Sequence, residues 1–186
     1  QIAWKLNSLL MRNTDQVNRM MMNLLDSHDT DRFYTWVGRD RKKLLSAAAV
    51  MVMFVGAPCI YYGTETLLEG GYDPDNRRCF DWNESSWDMY CMEKIKALLA
   101  LRKEKAVQTG GIRVYSREGL FVLKRFLEEE ELILYCNRTK EALPLAPEGD
   151  MAVENGFAED CIDAEGFVIF RRRGCLGGDA SEGRIG

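Results

Sequence analysis

The six residues Met20-Met21-Met22-Asn23-Leu24-Leu25 carry five large apolar side chains with no in–out alternation. A strand with one wet face alternates, whereas a strand covered on both faces does not, so this run predicts a parallel sheet. Burying five such side chains is worth roughly 8–15 kcal/mol at about 1.5–3 each. That matches the stability of a whole domain, about 5–15 kcal/mol. The strand has to be covered, and two strands with three helices make a poor sheet, so further strands are expected from elsewhere.

The residues beyond this run supply one neighbour. After the polar stretch from Asp26 to Asp31, a helix is expected from about Arg39 to Val55, with Leu44, Leu45, Ala48, Met51, Val52 and Val55 at three- and four-residue steps. Gly56 ends it, and Pro58 suits the start of a strand over Cys59-Ile60-Tyr61-Tyr62. A β–α–β unit places the loops after Leu25 and after Tyr62 side by side. In α/β folds that face takes the ligand. Ahead of the unit, Ile2, Leu6, Leu9 and Leu10 predict an opening helix with one apolar face.

The second loop is long, from Gly63 to about Ser86, and holds Tyr72, Phe80 and Trp82. Loops of that length are functional or disordered, and the aromatics speak against disorder. Ser85 with Asp88 resembles a capping box for a helix from about Trp87 to Lys105, whose core face is Cys91, Ile95, Leu98 and Leu99. From Gly110 the period changes. Ile112–Tyr115, Leu120–Phe126, Leu132–Cys136 and Phe167–Phe170 predict a small antiparallel β domain. Glu128–Glu131 reads as a solvated hairpin turn and Arg171–Arg173 as a polar edge. The expected division is 1–105, 106–174 and a loose tail, 175–186.

Composition narrows the function. Among 186 residues, 25 Lys and Arg against 29 Asp and Glu leave a net charge of −4. That excludes the basic excess of a non-specific nucleic-acid or anionic-membrane binder. No apolar stretch reaches the ~18 residues of a membrane span. The six cysteines include no CxxC, and without a signal-peptide pattern they are expected as free thiols in the cytoplasm. Asn83-Glu84-Ser85 and Asn137-Arg138-Thr139 match the glycosylation pattern by chance. The chain has no initiating Met and opens straight into a helix, which predicts a fragment.

Two segments could carry chemistry. Asp26-Ser27-His28-Asp29-Thr30-Asp31-Arg32 comes directly after the first strand and contains the only histidine. One imidazole and these carboxylate spacings do not make a metal or calcium site. No serine or cysteine is placed as a nucleophile, and no glycine precedes Gly38, so a dinucleotide-binding turn is excluded. Gly70-Gly71-Tyr72-Asp73-Pro74-Asp75-Asn76-Arg77-Arg78 reads either as a solvated turn or as a grip on a polyhydroxylated ligand. In the second case carboxylate and guanidinium would bond hydroxyls, and aromatics would stack on the apolar faces.

Asn23-Leu24-Leu25-Asp26-Ser27-His28-Asp29-Thr30 resembles the last signature region of the α-amylase family, glycoside hydrolase family thirteen. Ala57 to Glu65 is similar to that family's eighth barrel strand, and Gly70 to Trp82 to the stretch after it. Cys59 and Arg78-Cys79 look most like the neopullulanase, cyclomaltodextrinase and maltogenic-amylase branch. The resemblance implies α/β plus β architecture: the last two βα units of a (β/α)8 TIM barrel, strands seven and eight, then a small antiparallel β-sandwich C-terminal domain. It implies Asp29 as the third invariant carboxylate, stabilising an oxocarbenium-like transition state, and His28 as a ligand of the same sugar. Asp73 and Arg77 would grip a more distant glucose unit, with Tyr72 and Trp82 as the substrate-binding aromatics.

Thr64 departs from the acidic or amide residue usual at its position. The family's nucleophilic Asp, acid/base Glu and calcium-associated Asn have no match here. The expected function is therefore the C-terminal portion of a retaining α-glucan hydrolase, acting on starch, pullulan, cyclodextrin or maltodextrin and inactive alone. It would need no cofactor of its own, any calcium ligands of the parent lying outside this chain. Its partners would be the α-glucan substrate and the remainder of the barrel, or a second copy. The alternative is a non-catalytic α-glucan-binding module. A nucleotide-binding α/β protein lacks its glycine loop.

Overall fold

A computed structural model describes residues 1–174; the expected loose tail and Cys175 lie outside the described residues. The chain opens with α1 (Ile2–Arg12) and α2 (Asp15–Met20), the latter capped by the Thr14 hydroxyl. Ile2, Leu6 and Leu10 sit four residues apart and turn onto the core. Leu9 falls off that line and is exposed, against expectation. The Asn7 amide donates to Val114 O at 2.8 Å and ties α1 to the β region.

The first strand is shorter and barer than its composition predicts. Met20 belongs to α2, and β1 is only Met22–Leu24. It pairs in parallel with β2 (Ala57–Cys59) in the register Met22↔Ala57, Asn23↔Pro58, Leu24↔Cys59. The strand expected at 59–62 thus lies closer to the N-terminus, because pairing stops where β1 stops. Met20 is 82% exposed and Met22 62%, with Met21 and Leu24 also open to solvent. The expectation of cover on both faces fails because β2 is the strand's only neighbour among the described residues. Gly56 makes the close approach possible: its φ is +97°, and a Cβ there would lie 2.4 Å from Met21 O.

Between the strands run the single turn α3 (Phe33–Trp36) and α4 (Arg41–Met53), capped by Asp40, whose carboxylate accepts from Lys43 N at 3.2 Å. Rather than burying one stripe, α4 buries Leu44, Leu45, Ser46, Ala48, Ala49, Met51, Val52 and Met53. It is enclosed by the next helix on one side and the β region on the other. That helix, α5 (Met89–Ala100), starts at Asp88, whose carboxylate accepts from Cys91 N at 2.7 Å. The expected Ser85 cap is instead part of a 3₁₀ turn over Glu84–Ser86, and a second turn at Leu101–Lys103 ends the helix early. Cys91, Ile95 and Leu98 are buried as expected, and Leu99 packs against the same core.

After α6 (Lys105–Gln108), six strands form one antiparallel sheet: β3 (Gly111–Arg117), β4 (Leu120–Leu127), β5 (Glu130–Asn137), β6 (Leu143–Pro144), β7 (Asp150–Ala158) and β8 (Cys161–Arg173). The order is β3-β4-β5-β8-β6, and β7 also pairs with β8. Sequence patterning missed β6 and β7. The inner strands alternate between two cores. Phe121, Leu123, Leu132, Leu134, Phe167 and Ile169 join α4 and α5 in one core. Leu120, Val122, Ile133, Tyr135, Val168 and Phe170 form a second, closed by Leu143, Leu145 and Phe157 in sandwich fashion.

Charged groups stabilise the fold at three places. Arg125 is fully buried and donates to Met53 O at 3.0 Å and Gly110 O at 3.1 Å, while Arg102 reaches Gly56 O at 2.7 Å. Both lie at the carboxyl end of α4, where the helix dipole favours cations. Burial, reinforced by Arg102, pushes the Arg125 guanidinium down to about 10. Glu128 does turn the β4–β5 hairpin, but Glu131 is buried and pairs with Lys124 at 3.4 Å, so the block is not wholly solvated. Of the expected polar edge Arg171–Arg173, Arg172 and Arg173 pair with β5 alone and are exposed, whereas Arg171 lies between Leu132 of β5 and Asp150 of β7. The Asn137 amide is buried and donates to Ile162 O at 3.0 Å, which closes that glycosylation pattern to modification.

Candidate functional site

The loops leaving β1 and β2 meet, as a parallel pair requires. Asp26, at the end of β1, is buried; its carboxylate accepts from Phe33 N at 2.9 Å and faces the Thr64 hydroxyl at 3.1 Å. Arg32 is fully buried, its guanidinium 4.1 Å from the Tyr61 ring centre and 4.4 Å from that of Tyr62. It donates through Nη1 to Tyr62 O and through Nε to Asn76 O at 2.7 Å. The Asn76 amide crosses back to His28 O at 2.7 Å and Thr30 O at 2.9 Å. Gly70 N donates to the Thr35 hydroxyl at 3.0 Å, and Gly70 O accepts from Arg32 N at 2.9 Å.

On this frame four of the six expected site residues come together. His28 Nε2 lies 3.3 Å from Asp29 Oδ1, and both side chains are open to solvent. Arg77 links them to the second loop, donating through Nε to His28 O at 3.2 Å and pairing through Nη2 with Asp73 Oδ1 at 2.9 Å. The outcome is an exposed imidazole, two exposed carboxylates and a guanidinium on one face. That set is rich in hydrogen-bonding groups suited to hydroxyls.

Tyr72 and Trp82 are each 81% exposed. Tyr72 directly precedes Asp73. Trp82 belongs to a separate aromatic cluster, edge-on to Phe80 at 4.8 Å, with Trp87 5.6 Å from Phe80 on its other side. Asp75 faces the other way, forked by Arg78 at 2.7 and 2.9 Å and accepting from Gly71 N at 2.7 Å. The Arg78 bonds, then the Gly71 amide, hold its carboxyl below the usual aspartate range. Among the described residues no three His, Cys, Asp or Glu side chains gather in a way that could hold a metal ion.

Sequence reasoning missed Asp26, Arg32 and Asn76 as parts of this frame. Arg32 had a local signal, as the lone cation closing an acidic stretch ahead of Phe33. Asn76 had none, because it is buried only by contact with a loop some 48 positions away.

A parallel strand pair whose carboxyl-end loops converge is where an α/β fold presents its ligand face. The alpha-amylase catalytic-domain family model matches residues 2–108, more than half of the chain, and the chain belongs to that family. Its βα units are the last two of the (β/α)8 barrel, and the six-stranded sheet is the β domain beyond them. Within the family it resembles the maltogenic-amylase, cyclomaltodextrinase and neopullulanase branch.

It is 37% identical over 143 residues to an intracellular maltogenic amylase of Bacillus subtilis, covering 74% of this chain and 24% of that protein. To a cyclomaltodextrinase of Thermoanaerobacter pseudethanolicus it is 36% identical over 134 residues, 71% of this chain and 23% of the relative. A solved debranching enzyme from Nostoc punctiforme superposes with a TM-score of 0.79 at 27% identity, over 90% of this chain and 38% of that one. The chain thus spans about a quarter of the length of the curated relatives it matches.

Proposed function

We propose that this chain is the C-terminal portion of a retaining α-glucan hydrolase. In this reading Asp29 supplies the transition-state-stabilising carboxylate, and His28 bonds the same sugar. Asp73 and Arg77 hold a more distant glucose unit, with Tyr72 and Trp82 offering stacking faces. The observation that carries the reading is the bridge made by Arg77, from the His28 carbonyl to the Asp73 carboxylate. Retaining hydrolysis needs a nucleophile and an acid/base carboxylate about 5–5.5 Å apart. Both would come from chain outside these residues, leaving Asp29 to bond hydroxyls whose contacts tighten as the oxocarbenium forms.

The bare methionines Met20, Met21 and Met22, running from the end of α2 into β1, support a partner, because exposed apolar side chains in a cluster mark an interaction surface. That partner is the rest of the barrel or, failing it, a second copy. Light scattering and dye binding on the isolated chain should report association or exposed apolar surface; a monodisperse monomer with low dye binding contradicts this part. No helix among the described residues is long and apolar enough to cross a membrane, and a cytoplasmic setting accords with the relative named as intracellular.

Maltohexaose and cyclomaltodextrin turnover should be absent for the isolated chain, present for the intact protein that carries it, and lost there on Asp29→Asn. Turnover by the isolated chain, abolished by Asp29→Asn, overturns the division of labour. The exposed Trp82 favours the second reading, a binding module without chemistry. Saturable maltohexaose binding without products in the intact protein, lost on Trp82→Ala, would select it.

A further inference from the structure

Asn76 is fully buried between the two loops and is not itself open to solvent or substrate. An asparagine amide nitrogen has two N–H groups, and here both are committed: His28 O accepts at 2.7 Å and Thr30 O at 2.9 Å. Those carbonyls belong to the residues immediately before and after Asp29. One side chain therefore holds the peptide flanks of that carboxylate on both sides. Arg77 also reaches His28 O, but from an exposed position where water can take its place.

Arg32 in turn seats Asn76. Its guanidinium lies against the Tyr61 and Tyr62 rings, bonds Tyr62 O, and donates to Asn76 O at 2.7 Å. Arg32 is three residues beyond Asp29 on the same loop, so the connection closes on itself. From the His28–Thr30 backbone it passes to the Asn76 amide, to the Asn76 carbonyl, to Arg32 and back into the same loop. Asp29 cannot shift relative to the second loop without breaking hydrogen bonds whose donor, the Asn76 amide, is shut off from water.

We infer that Asn76, seated by Arg32, is a positioning residue that fixes the backbone on both sides of Asp29. The inference rests on the reading of Asp29 as the transition-state carboxylate. Misplacing such a group by about 1 Å costs up to roughly 100-fold in rate, so the strut acts on the chemical step rather than on substrate capture.

The test is steady-state kinetics on maltohexaose in the intact protein that carries this chain. Asn76→Asp keeps the shape but sets acceptors against two carbonyls. Its kcat should fall about tenfold or more, with KM moving less than about threefold because Asp73 and Arg77 still hold substrate. Asn76→Ser, which keeps one donor in a smaller side chain, and Arg32→Lys, which keeps the charge but loses the fork, should fall between the parent and Asn76→Asp. Thermal midpoints are measured on all three.

A kcat within about twofold of the parent in Asn76→Asp overturns the inference. So does a series in which activity merely tracks the thermal midpoint with kcat per folded molecule unchanged. Asp29→Asn run alongside separates the two claims. If that variant keeps its kcat, the reading of Asp29 fails; if it is dead while Asn76→Asp is not impaired, only the positioning role fails.

Discussion

The Thr64 hydroxyl stands 3.1 Å from each carboxylate oxygen of Asp26, joining two buried side chains 38 positions apart and locking the end of β1 to the turn after β2. This accounts for threonine at a position where an acidic or amide residue was the expectation. A second carboxylate there would face Asp26 across a buried gap, and like charges at that range oppose joint ionisation. Thr64→Glu should cost about 3 kcal/mol or more, the range for an uncompensated buried charge. Thr64→Val, which removes only the donor, should cost about 1–3 kcal/mol. Urea denaturation of the two variants checks the order.

Arg125 makes a second, independent lock. Replacing it by Met leaves the Met53 carbonyl without a donor in the core shared by α4 and the sheet, and Gly110 O with only the 3.4 Å bond from Arg19. The expected loss is about 1–3 kcal/mol, the cost of one buried group left unpaired. A denaturation midpoint equal to the parent's would contradict it.

The β7–β8 hairpin turns through Glu159 and Asp160, at φ values of 50° and 56°. Both sit in the left-handed region that Asn-Gly occupies without strain. Glu159→Asn combined with Asp160→Gly should raise stability by about 1 kcal/mol, seen as a higher thermal midpoint. An unchanged or lower midpoint would count against the turn geometry.

Cysteine reactivity should divide by burial. Desolvation pushes the Cys91 and Cys136 thiols up to about 12, whereas Cys79 is exposed. With folded values raised above the unfolded one, the neutral thiols favour the folded state below the ordinary cysteine range. That contribution is lost only as pH climbs towards 12. Iodoacetamide at pH 7 to 9 should therefore label Cys79 and spare Cys91 and Cys136 until denaturant is added; mass mapping of the labelled peptides decides.

Asp75 provides the acid-side counterpart. Its folded pKa is depressed, by the Arg78 bonds first and the Gly71 amide second. Its contribution is full above the unfolded aspartate value and disappears as pH falls through the depressed one. The second loop should hold its shape at pH 4, and hydrogen exchange at Gly71 should rise only below that. In Asp75→Asn the Gly71 amide should already exchange fast at neutral pH.

Much of the site was legible along the chain. Strand, polar loop, helix, Gly56 and Pro58 together dictated a parallel unit, and the parallel unit alone dictated that the loops after β1 and β2 be neighbours. His28, Asp29, Asp73 and Arg77 came from that placement and from their motif. Trp82 came from the same motif, which does not say whether an aromatic stands open to a site or packs on Phe80 and Trp87.

Local pattern also set the runs of β3, β4, β5 and β8, though not of β6 and β7, because alternation and turn chemistry act over a few residues. Tertiary structure alone decided which side chains are buried. The five apolar residues of Met20 to Leu25 read as core, yet most are exposed, since burial requires neighbours that a local run cannot supply. Asn76 and Arg32 are polar loop residues with no burial signal of their own in the sequence pattern, yet both are fully buried, because two loops far apart in the chain close over them. Hydrogen-bonding capacity is a property of each residue, but whether water or protein satisfies it depends on what the fold brings alongside.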